Sequence, residues 1–285
     1  MRGYCRVWPA ILLGLLVQTS AWADDVTPPP PVTPSFQFGA GVGAVRFPDY
    51  PGAEELRTLV LPFPYIVIRN RYLDVNRDHI RGKLLKDDRF SLDVDFGGQV
   101  SVDSSATQER RGMPDLDWLG EVGPSLRYHA WLDAEDETHF DLVLPLRVAV
   151  SAQGLTLHHR GWVTGPRAEW HKTLHLQDGD AVYLDSALSA EFVDRAYADY
   201  YYSVAPEFAT ATRPAYSAPG GYAGESIELG FSWHHGDMVY GAFVEHTGLH
   251  GAAFQSSPLV GRADGLSLGV AVSWIFQRDD SVQQP

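Results

Sequence analysis

The chain has 285 residues, of which 45% are hydrophobic and 20% are charged, so its composition is that of a folded protein and not of a disordered one. Its formal net charge of −14 argues against a nucleic-acid partner, because neutralising phosphates requires a basic face. After the first 23 residues the chain has no apolar run of 18 residues, which excludes a bundle of membrane-spanning helices and leaves a soluble fold or a membrane β-barrel.

The N-terminus has the organisation of an export signal. Arg2 and Arg6 precede an apolar stretch over residues 7–17, and Ala21-Trp22-Ala23 forms an A-x-A cleavage site. A short buried helix is the alternative interpretation. We expect a signal peptide over residues 1–23, cleaved after Ala23, which also removes Cys5, the only cysteine of the chain.

The rest of the chain divides simply. Residues 24–34 are rich in proline and predict an extended periplasmic tail without packed structure. No second linker and no repeat of fixed period follows, so residues 35–277 are predicted to form one domain, with residues 278–285 as a C-terminal tail.

Apolar and polar residues alternate along this domain, as in β-strands with two different faces. In residues 225–234, apolar side chains occupy every second position from Ile227 to Trp233, and residues 89–97 and 266–277 repeat the pattern. The predicted strands span residues 35–46, 57–68, 71–84, 89–102, 119–132, 138–151, 159–175, 181–193, 196–208, 223–235, 237–247 and 263–277.

Alternation alone does not tell a soluble sandwich or lipocalin-like barrel from a membrane barrel. The polar face carries charged residues of both signs, such as Glu121 with Arg127 and Arg167 with Glu169, and many glycines, which suits a crowded and wet interior. Tryptophans such as Trp118 and Trp274 lie near strand ends, where membrane barrels place aromatic girdles. We therefore predict a transmembrane, antiparallel, up-and-down β-barrel of about 12 strands in the bacterial outer membrane, in contact with lipid and lipopolysaccharide.

Short motifs in a fixed order resemble the MipA/OmpV family of outer-membrane proteins over nearly the whole mature chain. A departure occurs at Glu245-His246-Thr247, where the family commonly has a tyrosine-rich strand. The matching segments are Phe38–Gly43, Pro48–Glu54, Leu61–Tyr65, Gly112–Asp117, Tyr201–Val204, Pro214–Gly221 and Ser257–Val260.

This resemblance implies an outer-membrane barrel. The name-giving member of the family is a scaffold that joins a murein-degrading lytic transglycosylase to a bifunctional penicillin-binding protein. Other members are described only as outer-membrane proteins, some of them linked to osmotic response. By resemblance, these two enzymes are the expected partners.

The connections between strands give a topological prediction. An even number of strands with both chain ends in the periplasm places residues 47–56, 209–222 and 248–262 outside the cell, but puts the long connection 103–118 on the side where short turns are expected. Either one strand is miscounted, or this connection forms a periplasmic platform. In the second case the partner-docking residues are Arg110, Arg111, Met113, Pro114 and Trp118, together with the tail 24–34.

The sequence motifs that could indicate catalysis or metal binding are weak. Residues 265–269 match G-x-S-x-G, but Ser267 lies in an alternating strand with no helix pattern after it, so we expect no catalytic residue. His171 and His175 are four residues apart, about 13 Å on a strand, as are His246 and His250, so neither pair shares an ion. We expect no metal site and no cofactor, although an acidic connection at 133–137 could hold divalent ions at a lipopolysaccharide surface.

We expect a non-enzymatic scaffold for murein-remodelling enzymes, and the scaffold role depends on the resemblance. The alternative is a narrow channel for small polar solutes, or an osmotic-response protein, because about 12 strands lie between a filled barrel and an open porin. The charged residues of the predicted interior could either pair across and plug the bore, as in a scaffold, or line a narrow polar path, as in a channel: Asp93, Asp95, Arg127, Arg147, Arg167 and Glu169.

Overall fold

The computed structural model describes residues 35–69, 73–75, 80–82, 85–86, 89–133, 136–154, 156–176 and 179–278. The predicted signal peptide, the Pro-rich tail and residues 279–285 lie outside the described residues. Within the described part, no helix combines the length and the apolar character needed to cross a membrane.

One antiparallel sheet of fourteen strands makes up most of the described chain. Eleven strands have nine residues or more, and β3, β4 and β5 have two or three. The strands are β1 (Ser35–Pro48), β2 (Leu56–Arg69), β3 (Leu73–Val75), β4 (Ile80–Gly82), β5 (Leu85–Lys86), β6 (Phe90–Gln99), β7 (Trp118–Asp133), β8 (Thr138–Gln153), β9 (Thr156–Thr164), β10 (Arg167–His175), β11 (Ala181–Val193), β12 (Gly221–His235), β13 (Met238–Gly248) and β14 (Asp264–Arg278).

Strands that follow each other in sequence are neighbours in the sheet, except β4 with β5 and β9 with β10, and the last strand pairs with the first. β1 pairs with β14 from Gln37↔Arg278 to Arg46↔Leu268. The path of neighbours ends at β4 and β5, and only residues 83 and 84 separate these two edge strands in sequence. Because consecutive Cα atoms are 3.8 Å apart, Gly82 and Leu85 lie within about 11 Å of each other.

The faces of the sheet are reversed relative to those of a soluble protein. On β8, Leu142, Leu144 and Leu146 are exposed, whereas the alternate residues Asp141 and Arg147 are each only 2% exposed. β12 and β14 show the same pattern, with apolar residues such as Leu229 and Val270 exposed. A soluble fold buries its apolar face instead, so this observation separates the two architectures that alternation alone leaves open.

The predicted strand 159–175 is divided into β9 and β10. Both segments pair with β8, which continues past the break, and both pair with β11. Pro166 stands at the break and has no N–H to donate to a ladder, although its carbonyl still accepts from Ala190 N at 3.1 Å.

The predicted strand 196–208 is wrong, because the chain forms helix α1 (Arg195–Tyr202) and then a 3₁₀ turn at Pro206–Phe208. The Asp194 side chain caps α1 by accepting from Tyr197 N at 3.0 Å. Tyr197, Ala198, Tyr201 and Tyr202 are buried, which is helical spacing and not strand alternation.

The predicted single strand 71–84 is also wrong, because its described residues form only the short strands β3 and β4, which pair antiparallel with each other. The chain therefore crosses the sheet neither at 71–84 nor at 196–208, and this changes the topology. Four long connections now lie at one end of the sheet, which we call the loop end: residues 49–55, 100–117, 194–220 and 249–263. The described chain termini and the shorter connections around residues 134–137, 176–180 and 236–237 lie at the opposite end, which we call the turn end. The long connection 103–118 therefore agrees with the others, because the misfit expected from the sequence came from counting 71–84, which precedes this connection, as a full strand.

Candidate functional site

The four long connections pack together into a structure that we call the loop cap. Tyr50 from the first connection, Leu116 from the second, Tyr202 from the third and Phe254 from the fourth belong to one buried apolar cluster. The rings of Tyr202 and Phe254 stack with their centres 3.8 Å apart. The loop cap therefore has a hydrophobic core of its own.

Hydrogen bonds join the connections to each other. Tyr50 donates to Leu259 O at 2.7 Å, and burial raises the pKa of Tyr50, so this hydroxyl stays protonated. Tyr202 donates to Pro51 O at 2.8 Å, and Ser257 donates to Tyr202 O at 2.6 Å. Buried Arg110 donates to Tyr201 O at 2.9 Å. These bonds fix the four connections as one unit across the loop end.

Helix α1 anchors the loop cap to the sheet. It lies against β9 at Gly161, where φ is +123° and a Cβ atom would lie 2.6 Å from Tyr197 N, so a side chain there would displace the helix. On the inner side, the Tyr197 hydroxyl donates to Glu121 Oε1 at 3.2 Å. The helix therefore contacts charged residues of the sheet interior directly.

A cavity of about 300 Å³ lies beneath the loop cap. Residues of eleven strands contribute to its lining, and Tyr197, Tyr201 and Tyr202 of α1 cover it at the loop end. Its charged lining residues are Asp95, Glu121, Arg127, Arg147, Arg167, Glu169, Glu191, Glu225, Glu228 and Glu245. The charged part of the lining is therefore predominantly acidic.

The first of two charge clusters in the interior centres on Arg127. Its guanidinium contacts Glu169 Oε2 at 2.5 Å, Asp141 Oδ2 at 2.7 Å and Asp93 Oδ2 at 3.4 Å. All four side chains are at least 94% buried. One guanidinium thus joins carboxylates from three other strands, β6, β8 and β10.

The second cluster centres on Arg147, which lies closer to the loop cap. Arg147 contacts Glu121 at 3.1 Å, Glu191 at 3.2 Å and Asp95 at 3.4 Å. Like the first cluster, it joins residues of one stretch of the sheet, from β6 to β11. The charges predicted to pair across the bore therefore pair between nearby strands.

The five predicted docking residues lie at the loop end and not at the end that carries the described chain termini. Arg110 is 3% exposed and holds the loop cap together, so it is not on a surface. Arg111 and Pro114 are exposed, Met113 is half-buried and Trp118 is 38% exposed. Arg110 stays in contact with this group, since it donates to Pro114 O at 3.2 Å, but its side chain is buried and is not available to a partner.

The structure also places the G-x-S-x-G match, the pair His246 and His250, and the acidic connection at 133–137. Ser267 lies within β14 opposite Glu245, without the strand-turn-helix that a nucleophile elbow needs. His246 and His250 each contact Asp264 at the loop end, at 3.2 and 3.1 Å. The described part of the predicted acidic connection is a turn in which Asp136 pairs with Lys172 at 2.6 Å.

Sequence reasoning missed two features of this site. The first is the helix cap at Asp194, for which an Asp just before residues with helical spacing, Tyr197, Ala198 and Tyr201, was an available signal. The second is a group formed by His139, Asp141 and His171, whose potential ligand atoms lie within 4.8 Å of one another. No spacing along the chain indicates this group, because His139 and His171 meet across two strands.

The loop cap contains a carboxyl group whose titration should affect its stability. Burial raises the pKa of Glu109 above its ordinary value of 4.5, and the nearby carboxyls of Glu55 and Glu54 raise it further. Because the pKa of Glu109 is higher in the folded state than in the unfolded state, the folded state binds this proton more tightly. The stabilisation is therefore complete below pH 4.5 and is lost as the pH rises through the folded-state pKa.

We expect Glu109→Gln to make the loop cap less sensitive to pH. Its thermal unfolding, followed by the near-ultraviolet circular dichroism of the buried tyrosines, should occur at a higher temperature than wild type at pH 7.5 and at the same temperature at pH 4. Glu207→Gln is the control, since Glu207 is exposed. A wild-type pH profile for Glu109→Gln would contradict the role of this carboxyl.

Comparisons with known proteins give a family and distant structural likenesses. A family model described as "MltA-interacting protein MipA" matches residues 40–276. No curated protein gives a match. Among solved structures, a bacterial polysaccharide outer membrane secretin has a TM-score of 0.41 at 9% identity, covering 85% of this chain and 99% of that one.

Two other solved structures are similar over comparable lengths. A Pseudomonas aeruginosa FadL homologue has a TM-score of 0.27 at 7% identity, covering 86% of this chain and 90% of that one. Pseudomonas putida OprB has a TM-score of 0.24 at 8% identity, covering 85% and 94%. The family match extends from β1 to β14.

Proposed function

The chain belongs to the MipA family, and from this we propose that it is a non-enzymatic outer-membrane β-barrel protein that holds murein-remodelling enzymes at the membrane. The observation that supports a membrane location is the reversed polarity of the two sheet faces, with leucines exposed and carboxylates and arginines buried. Lipid is the solvent in which such an outer surface is stable.

Closure of the sheet into a barrel is supported at both ends. At the turn end, only residues 83 and 84 separate the edge strands β4 and β5. At the loop end, Arg57 of β2 donates to Ser101 O, just after β6, at 2.7 Å. A closed barrel leaves no backbone edge in lipid, where unpaired N–H and C=O groups cost several kcal/mol each.

The orientation follows from the loops. Bacterial outer-membrane barrels have short periplasmic turns and longer extracellular loops. We infer that the loop cap faces outward and that the turn end, with the described chain termini, faces the periplasm. A periplasmic partner would then dock on the turn end, and not on the predicted platform in residues 103–118.

Two observations favour a scaffold over a channel. The loop cap covers the cavity at the loop end, and hydrogen bonds and stacked rings between its connections hold it in a defined structure. The family name describes a protein that interacts with MltA, so a lytic transglycosylase is the proposed partner. A penicillin-binding protein is the second proposed partner, by the same family resemblance.

The turn end carries exposed acidic groups that a partner could recognise. Asp136 and Glu137 occupy one turn and Asp237 another, and each has a basic or histidine neighbour on an adjoining strand. We propose that these turns contribute to the docking surface.

Capture of the partner tests the proposal. We expect the tagged full-length protein, cross-linked in intact cells, to co-purify with a lytic transglycosylase that mass spectrometry identifies as such. A triple variant at the turn end, Asp136→Asn with Glu137→Gln and Asp237→Asn, should recover at least tenfold less of it.

A second triple variant at the loop end is the matched control. Glu54→Gln with Asp199→Asn and Glu207→Gln also removes three exposed acids and should leave recovery unchanged. Loss of partner recovery with Arg111→Ala and Met113→Ala would instead support docking on the platform of residues 103–118. Absence of any murein enzyme from the wild-type sample would overturn the scaffold role.

A further inference from the structure

We propose that the barrel interior near the turn end contains a binding site for one divalent transition-metal ion of the Zn²⁺ class, held by His139, Asp141 and His171. His139 and His171 are directly opposite each other on β8 and β10, and their rings stack with centres 4.5 Å apart. Asp141 is two residues along β8, on the same face. This inference goes beyond the scaffold role and does not depend on it.

The three side chains offer one ligand atom each within a small volume. These atoms lie within 4.8 Å of one another, so modest rotations bring all three to the 2.0–2.2 Å bond lengths of zinc. Asp141 and His171 are buried and His139 is half-buried. Two imidazoles and one carboxylate are the donor set of many zinc sites that keep a fourth position for another ligand.

A neighbouring carboxylate orients His171 in the way that metal-bound histidines are commonly oriented. His171 Nδ1 contacts Asp185 Oδ1 at 2.6 Å, which fixes the ring, so Nε2 is the nitrogen that we propose binds the metal. Glu169 Oε2 lies 3.6 Å from Nε2 and could supply a fourth oxygen. Asp185 is therefore proposed as a positioning residue and not as a ligand.

Asp141 is also held in place. Arg127 contacts Oδ2 at 2.7 Å and His129 Nδ1 contacts Oδ1 at 2.9 Å. A carboxylate oxygen has more than one lone-pair direction, so Oδ1 can keep a hydrogen bond and still bind a metal. Both contacts set the orientation of the carboxylate before a metal arrives.

Metal titration of the full-length protein in detergent, after treatment with a chelator, tests the site. We expect one Co²⁺ per chain, with visible absorption bands of histidine-coordinated Co²⁺ that Zn²⁺ abolishes by displacement. His139→Gln and His171→Gln should each weaken Zn²⁺ binding at least tenfold. Asp185→Asn should weaken it about tenfold, because the loss of an outer partner typically costs 10–100-fold.

His246→Gln with His250→Gln is the matched control, because it also removes two histidines that contact an aspartate, but at the loop end. Heat-modifiable migration on gels reports whether each variant is folded. His139 is half-buried, so His139→Gln keeps the test decisive if His171→Gln does not fold. Wild-type affinity in His139→Gln, no bound metal in the wild type, or loss of binding in the control alone would overturn the proposal.

Discussion

We expect the wild-type protein to show no discrete conductance in planar lipid bilayers, and a variant in which a four-residue Gly-Ser turn replaces residues 194–220 to open in discrete steps. Val193 and Gly221 are paired across β11 and β12, so a short turn can join them without changing the register of the strands. The shortened variant loses Tyr197, Tyr201 and Tyr202, which cover the cavity at the loop end. The cavity would then be open to the solvent on that side.

A double substitution on the outer face of α1 is the control. Arg195→Ala with Asp199→Ala removes an exposed ion pair of 3.5 Å and leaves the buried tyrosines in place, so it should remain non-conducting. Discrete steps from the wild-type protein would favour the channel alternative. No conductance from the shortened variant, with migration on gels showing that it is folded, would mean that the loop cap is not the barrier.

Period-two alternation predicted most of the sheet because it records which side chains face lipid and which face the interior. Nine of the predicted ranges each coincide with a single long strand, for example 223–235 with β12. Three ranges do not, because 71–84 and 159–175 each contain two strands and 196–208 is helical. The error at 196–208 follows from residue type. Tyrosine is common in strands, so Tyr200, Tyr201 and Tyr202 favour a strand locally, and the helix is stabilised by packing into the loop cap.

The functional geometry could not be predicted in the same way. His139 and His171 meet because of the register between β8 and β10, which depends on pairing between strands and not on spacing along either one. Arg110 lies in a polar connection and looks exposed in sequence, but its hydrogen bond to Tyr201 O crosses between two connections. Contacts of this kind depend on the whole fold, so sequence reasoning placed Arg110 on a surface.

Arg127→Met should reduce the free energy of unfolding by about 3–5 kcal/mol, because breaking a buried ion pair leaves charged partners in a low-dielectric interior. The substitution leaves Asp93, Asp141 and Glu169 without the guanidinium that joins them. Chemical denaturation in detergent, with a chelator present to remove any bound metal, measures the loss. Arg195→Ala is the control and should change stability by less than about 1 kcal/mol, since its ion pair is exposed.

A rescue variant distinguishes loss of charge balance from loss of packing. If uncompensated carboxylates cause the instability, then adding Asp141→Asn and Glu169→Gln to Arg127→Met should recover a large part of the lost free energy, because amides of nearly the same size carry no charge. If the lost contacts of the arginine side chain matter more, the triple variant should be as unstable as Arg127→Met or less stable. A loss below about 1 kcal/mol for Arg127→Met would show that the interior is hydrated enough to screen these charges.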